Sequence, residues 1–169
     1  DAYVEAFMAE VGKFTIGDPT DEKTYIGPLT RPSQIPFLEE QIKDAVAKGA
    51  KVLTGGKRLD RKGHYFAPTV LVDVNHGMRV MREESFGPVI GIQKVTDDDE
   101  AVALMNDTRY GLTAGIFSRD EARTRELLAR VNAGSVYWNC CDRVSPRLPW
   151  SGHGDSGLGL TLSTHGIMT

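Results

Sequence analysis

The sequence predicts an α/β fold with a largely parallel sheet and flanking helices. Two observations support this. From Val89 to Asn139 the chain alternates strand-like and helix-like segments with short links, the rhythm that favours right-handed crossovers between parallel strands. The composition, 40% hydrophobic and 25% charged over 169 residues, is that of a globular domain large enough to bury a core.

The elements follow in order. Tyr3, Phe7, Val11 and Phe14 recur at helical spacing, so an amphipathic helix is expected up to about Phe14. Gly17-Asp18-Pro19 breaks it, and a polar loop runs through Gly27-Pro28. Ser33 is the expected N-cap of the next helix, with Ile35, Leu38, Ile42, Ala45 and Val46 as its apolar face and Gly49 as its stop. A short strand over 51–54 is stopped by Gly55-Gly56, residues 58–63 form an exposed hairpin or loop, and 68–74 are β-branched and strand-like. Three further strands are expected over 89–95, 112–117 and 135–139. Between them, the carboxylates of 97–100 suit a helix N-terminus, with Ala101, Leu104 and Met105 facing inward. Ser118-x-x-Glu121 matches a capping box leading a helix with Ala122, Arg125, Leu128 and Val131 on one side, closed by Gly134. No repeat or low-complexity segment interrupts this pattern, which describes one domain.

Charge and composition exclude several function classes. Net charge is −3 with a pI near 5.8, and Lys and Arg are scattered, without the basic stripe of a nucleic-acid surface. No apolar run approaches the ~20 residues that span a bilayer. The four histidines show no metal-ligand spacing. Cys140 and Cys141 are adjacent, and a relaxed disulfide wants α-carbons ~4.4–6.8 Å apart where neighbours sit at ~3.8 Å. The chain opens on Asp1-Ala2-Tyr3, without an initiating Met or a leader, and so reads as a piece of a longer, cytoplasmic protein.

One stretch invites a functional assignment, Arg82-Glu83-Glu84-Ser85-Phe86-Gly87-Pro88-Val89. On an extended backbone Glu84 and Phe86 leave from the same face. A carboxylate accepts paired hydrogen bonds from ribose hydroxyls, and a ring beside it packs against a planar heterocycle. The plainer alternative is a charged loop closed by a Gly-Pro turn, with one buried Phe.

The wording of that stretch closely resembles the Glu-Glu-x-Phe-Gly-Pro signature of the NAD(P)-dependent aldehyde dehydrogenases. Asn106-Asp107-Thr108-Arg109-Tyr110-Gly111-Leu112-Thr113-Ala114-Gly115-Ile116-Phe117-Ser118 resembles the family's next block. Gly134-Ser135-Val136-Tyr137-Trp138-Asn139 resembles the one after it, and Pro149-Trp150-Ser151-Gly152 with Ser156-Gly157-Leu158-Gly159 resembles the closing one. The resemblance covers about Gly27 to Gly166. It implies an aldehyde-dehydrogenase-like catalytic domain, of which this chain is the downstream part, lacking the cofactor-binding domain and the subunit-joining strand. It further implies oxidation of an aldehyde to a carboxylic acid by a cysteine thiolate, with NAD or NADP as hydride acceptor and a thioester intermediate hydrolysed by activated water. That cysteine, the general-base glutamate and the oxyanion asparagine all belong upstream of the segment that this chain resembles.

By the same resemblance Glu84 binds the nicotinamide ribose and Phe86 packs by the nicotinamide, while Cys141, Val144 and Trp150 line the substrate pocket. Asn139 anchors a strand end, and Tyr110, Gly111 and Leu112 serve the fold. Trp150 and Ser151 stand where the family usually has Phe and Gly, which alters the pocket's width and polarity. Gly152-His153-Gly154-Asp155-Ser156-Gly157 is a literal G-x-G-x-x-G, but it follows Pro146 and Pro149 and no acidic residue lies ~20 positions on. It is expected to be a packing turn. Cys140 and Cys141 have no helix N-terminus or placed His to activate them and are expected to be structural or pocket-lining. Partners implied are a small aldehyde and further copies of the same protein, with neither nucleic acid nor membrane. A non-catalytic aldehyde-dehydrogenase-like binding or assembly protein is the alternative. Glu84 and Phe86 should stay exposed, and apolar patches and strand edges should be left uncovered.

Overall fold

In the computed structural model, which describes residues 1–141 and 143–168, the chain forms two units, Asp1–Lys94 and Val95–Thr169. In the first, α1 (Ala2–Val11) is capped by Asp1, whose carboxylate accepts from the amides of Tyr3 and Val4. The helix stops short of Phe14, which instead stacks on Tyr25 with ring centroids 4.4 Å apart. Tyr3 and Phe7 stack along α1, yet none of the helix's residues is buried. The periodicity that predicts this helix therefore marks a face left uncovered in this chain.

Helix α2 (Gln34–Ala47) builds the core of this unit. Ser33 stands at its boundary but does not cap it. Its backbone is already helical, at φ −65° and ψ −16°, and its side chain makes no capping bond, because a capping side chain needs an extended backbone there. The amides of Gln34 and Ile35 reach back to the carbonyls of Arg31 and Pro32 instead. Ile35, Leu38, Ile42 and Ala45 are buried as expected, but Val46 is 49% exposed and Gln41 is fully buried. Gln41 lies three residues beyond Leu38 and four before Ala45, on the same face by helical geometry, so its position overrides its polarity. The buried face packs with Ala50, Phe66, Leu71, Val74 and Met78.

The sheet of this unit has strands β1 (Lys51–Thr54), β2 (Thr69–Val72) and β3 (Val89–Ile92), with α3 (Arg79–Arg82) preceding β3. β2 is central, antiparallel to β1 and parallel to β3, with Thr69 opposite Val89. Thr69, Val70 and Leu71 are buried, as β-branched and apolar residues of a central strand should be. The 58–63 stretch is the exposed connection expected, closed where Arg58 bridges Phe66 and the Leu59 amide donates to Tyr65.

The second unit contains α4 (Asp98–Asn106), β4 (Thr113–Ile116), α5 (Glu121–Ala129), β5 (Ser135–Trp138) and α6 (Ser163–Ile167). β4 and β5 are parallel, with Thr113 opposite Ser135, and α5 packs on both. Asp97 caps α4 by accepting from the Glu100 amide; Val102 is its buried residue, and Ala101, Leu104 and Met105 are half-buried. The cap of α5 is Asp120, which accepts from Arg123, while Ser118 accepts from Asp120 in the turn before it. The helix thus starts two residues later than the capping-box match implies, and of the expected face only Leu128 and Val131 are half-buried. Thr124 and Leu127 are buried, whereas Ala122 and Arg125 are exposed. Thr124 tolerates burial because its hydroxyl donates to the Asp120 carbonyl, 2.7 Å away. Parallel pairing joins β2 to β3 and β4 to β5, a choice of partners that strand–helix rhythm alone does not specify.

Gly134 does not close α5, which ends at Ala129 with Arg130 as its C-cap. It is where the Ser151 backbone crosses the start of β5: a Cβ there would overlap the Ser151 carbonyl oxygen and sit 2.5 Å from its carbon. Gly134→Ala is expected to destabilise the second unit by about 1–3 kcal/mol, the usual range for overpacking. Gly159→Ala, where a Cβ meets nothing within 4 Å, should stay within about 0.5 kcal/mol of wild type. Denaturant midpoints of the two variants check this, and equal midpoints would refute the crossing as a constraint.

Candidate functional site

The Glu84–Phe86 loop is built on α2 and α3. After Arg82 the chain leaves the helix at Glu83, φ −109° and ψ 147°, and exposure alternates from Arg82 to Phe86. Glu84 is exposed, and Phe86 is 75% exposed rather than buried. The extended backbone does not persist through both residues: Phe86 has φ +43°, the left-handed region that a bulky residue occupies only where its surroundings hold it.

Those surroundings are specific. The Gln34 Nε2 amide donates to the Ser85 carbonyl at 2.5 Å. Gly87 lies so close to α2 that a Cβ there would come 2.5 Å from Leu38 Cδ1. The Thr69 amide of β2 donates to the Pro88 carbonyl at 2.7 Å. Arg79 ties α3 down: its Nε donates to both carboxylate oxygens of Glu83, at 2.9 and 3.1 Å, and its guanidinium lies 5.7 Å from the Phe37 ring centroid. Its backbone amide donates to Asp44 Oδ2 at 2.9 Å. The hydrogen bond from Lys48, and then that from the Arg79 amide, hold the Asp44 carboxyl below its ordinary value. Phe86 borders a depression of about 330 Å³ shared with Leu29, Thr30, Arg31 and Gln34. Gln34 and Arg31 escape the sequence reading because no periodicity links the start of α2 to a loop so far along the chain.

In the second unit Trp150 lines a depression of about 230 Å³ with Tyr137, Arg143, Ser145, Leu148 and Pro149. Its amide and carbonyl exchange hydrogen bonds with Thr161, at 2.8 and 2.9 Å. Cys141 and Val144 are exposed and do not border this depression. Both thiols are free, and Cys140 Sγ donates to the Cys141 carbonyl at 3.0 Å. Tyr137 and Arg143 were not legible as lining residues. Their signal is tertiary: the Tyr137 hydroxyl donates to the Arg143 carbonyl at 3.1 Å.

Asn139 is the strand-end anchor expected. Its Oδ1 accepts from the Ser118 amide at 2.9 Å, and its Nδ2 donates to the Ser118 carbonyl at 2.8 Å. The glycine-rich 152–157 segment is a turn in which Ser156 and Gly157 amides donate back to His153 and Gly154. No helix opens from it; Gly154 bridges Tyr110 and the Ser156 hydroxyl accepts from the Gly111 amide. It packs the fold and does not present amides to a pyrophosphate.

Both units are of the α/β class, and each carries a surface depression. The chain belongs to the aldehyde dehydrogenase family, whose profile matches residues 1–169. Succinate-semialdehyde dehydrogenase (NADP+) 1 of Mycobacterium tuberculosis is 40% identical over 167 residues, covering 99% of this chain and 36% of that protein. The succinate-semialdehyde dehydrogenase (NADP+) of Deinococcus radiodurans is 39% identical over 172 residues, with the same coverages of 99% and 36%. Among solved structures, betaine aldehyde dehydrogenase from Staphylococcus aureus in complex with NAD+ superposes with a TM-score of 0.94 at 32% identity, covering 99% of this chain and 34% of that one. The chain spans about a third of the length of the curated relatives it matches.

The bracing of α3 has a pH signature. Because Asp44 titrates lower when folded than when unfolded, its contribution is complete above the ordinary carboxyl value and is lost as pH falls through the lowered one. The protection of the Arg79 amide against hydrogen exchange should therefore fall in that acid range. In Asp44→Ala it should already be lost at neutral pH; wild-type protection in that variant would show that the carboxylate does not hold α3.

Proposed function

We propose that this chain is the downstream part of the catalytic domain of an NAD(P)-dependent aldehyde dehydrogenase, a cytoplasmic homo-oligomer. In this proposal Glu84 and Phe86 receive the nicotinamide end of NAD or NADP, and Cys141, Val144 and Trp150 wall the substrate path. The observation that carries it is the exposure of Glu84 and Phe86 on a loop whose flanking groups are each bonded or packed. An ionised carboxylate held clear of partners accepts both hydroxyl hydrogens of a ribose. An exposed ring on a fixed backbone offers its surface to a planar heterocycle at low entropic cost. Bound there, the cofactor supplies a hydride acceptor.

The chain's own residues orient the loop. Gln34, Leu38 and Arg79 keep the loop from relaxing, so Glu84 meets the ribose without reorganisation, the condition under which positioning accelerates a reaction. The relatives named for NADP+ and the neighbour solved with NAD+ support either cofactor. The curated relatives are named for succinate semialdehyde, so the substrate proposed is an aldehyde, with one bearing a terminal carboxylate the first to assay. An assembly with the rest of the enzyme accounts for α1, which buries none of its residues within this chain.

Two measurements test the proposal. In the whole enzyme, Glu84→Gln should reduce kcat/KM about 10–100-fold, the loss expected for charge-assisted hydrogen bonds, with the fold intact. Unchanged turnover and cofactor affinity would remove Glu84 from the site. The 169-residue chain alone should reduce neither NAD+ nor NADP+ in the presence of aldehydes. Reduction that disappears in a Cys140→Ser/Cys141→Ser double variant would overturn the assignment of those thiols as pocket residues.

A further inference from the structure

We infer that Arg143 is a specificity-determining residue, which selects aldehydes carrying a terminal carboxylate by pairing with it at the edge of the Trp150 depression. The inference deepens the substrate side of the proposed function and rests on it. Arginines in the second unit are otherwise largely spent on carboxylates: Arg109 pairs with Asp155, Arg123 with Asp98, Arg125 with Glu121 and Arg130 with Asp99. Arg143 makes no ion pair and no side-chain hydrogen bond among the described residues, yet it borders the depression. Arg147, four residues on, is not part of that lining.

The place is built rather than incidental. The Tyr137 hydroxyl holds the Arg143 carbonyl at 3.1 Å, which anchors the base of the side chain to β5. Trp150, Leu148 and Pro149 supply apolar walls, and Ser145 brings a hydroxyl to the same lining. The Ser145 oxygen accepts from the Arg147 amide at 3.4 Å, which leaves its proton available to donate. A depression of about 230 Å³ whose lining combines Trp150, Leu148 and Pro149 with Arg143 and Ser145 suits a short carbon chain ending in a carboxylate. The guanidinium fork takes both carboxylate oxygens, which an ammonium would not do as well. A cationic aldehyde would meet like charge there, and a neutral one would gain nothing from the arginine.

The test uses the chain itself and unreactive alcohols, so that neither cofactor nor thiol addition enters: 4-hydroxybutyrate and butan-1-ol, followed by the Trp150 indole resonance. A saturable shift with 4-hydroxybutyrate is expected. Arg143→Gln should weaken it about tenfold, Arg143→Lys should weaken it less, and butan-1-ol should respond to neither change. The inference is overturned if Arg143→Gln leaves 4-hydroxybutyrate binding unchanged, or if both alcohols weaken equally. In the whole enzyme, Arg143→Gln should raise KM for succinate semialdehyde and not for butanal. Turnover with equal preference for the two aldehydes in wild type would sink Arg143 while leaving the dehydrogenase assignment standing. Selective binding by a protein with no turnover would do the reverse.

Discussion

The contact between Leu38 and Gly87 is the one on which the Glu84–Phe86 loop of the first unit depends. Leu38 is fully buried in the face that α2 turns toward β2, among Ile35, Ile42, Phe66, Leu71 and Met78. Gly87 fits against its side chain only because it has no Cβ. The chain can therefore pass from α3 into β3 directly over the core, and Phe86 is forced outward onto a left-handed backbone. Core packing and site exposure are two consequences of one close approach. Polar contacts then fix the loop without covering it, since Gln34 takes the Ser85 carbonyl and Arg79 takes Glu83, leaving Glu84 to solvent.

The second unit solves a similar problem with backbone rather than side chains. Gly134 lets the Ser151 backbone cross the foot of β5, and Thr161 pins Trp150 just before that crossing. At the other end of the strand pair, Asn139 closes both Ser118 backbone groups, and Trp138 Nε1 adds a 3.0 Å bond to the same carbonyl. The segment between Asn139 and Trp150 is thus held at both ends. The Arg143 backbone is tied to β5 by the Tyr137 hydroxyl, while its side chain has no bonded partner among the described residues.

Several sequence expectations failed for a common physical reason, which is that local pattern does not fix register. Ser118-x-x-Glu121 has the letters of a capping box, but Asp120 stands nearer the first free amides and captures the Arg123 amide. The helix packs on β4 and β5 with Thr124 and Leu127 inward, while Ala122 and Arg125 stay exposed. On α2 the apolar face admits Gln41 and excludes Val46 because the helix meets the sheet along one stripe, whatever the polarity of the residue that falls in it. Gly134 looked like a helix stop, while its missing Cβ answers to Ser151, far away in sequence.

The sequence by itself determined the class of fold, the approximate place of every strand, and the loop that carries Glu84 and Phe86. These follow from short-range facts: periodicity, turn residues, and a run of letters shared with the aldehyde dehydrogenases. The tertiary structure alone decided which strands pair, that Phe86 stands on a left-handed backbone, and that Gln34, Tyr137 and Arg143 stand beside the two candidate surfaces. Each of these depends on residues brought together across loops, and hydrogen bonds such as Gln34 to Ser85 or Tyr137 to Arg143 have no local signature. Short-range patterns record what a segment prefers, and only packing settles which neighbours it meets.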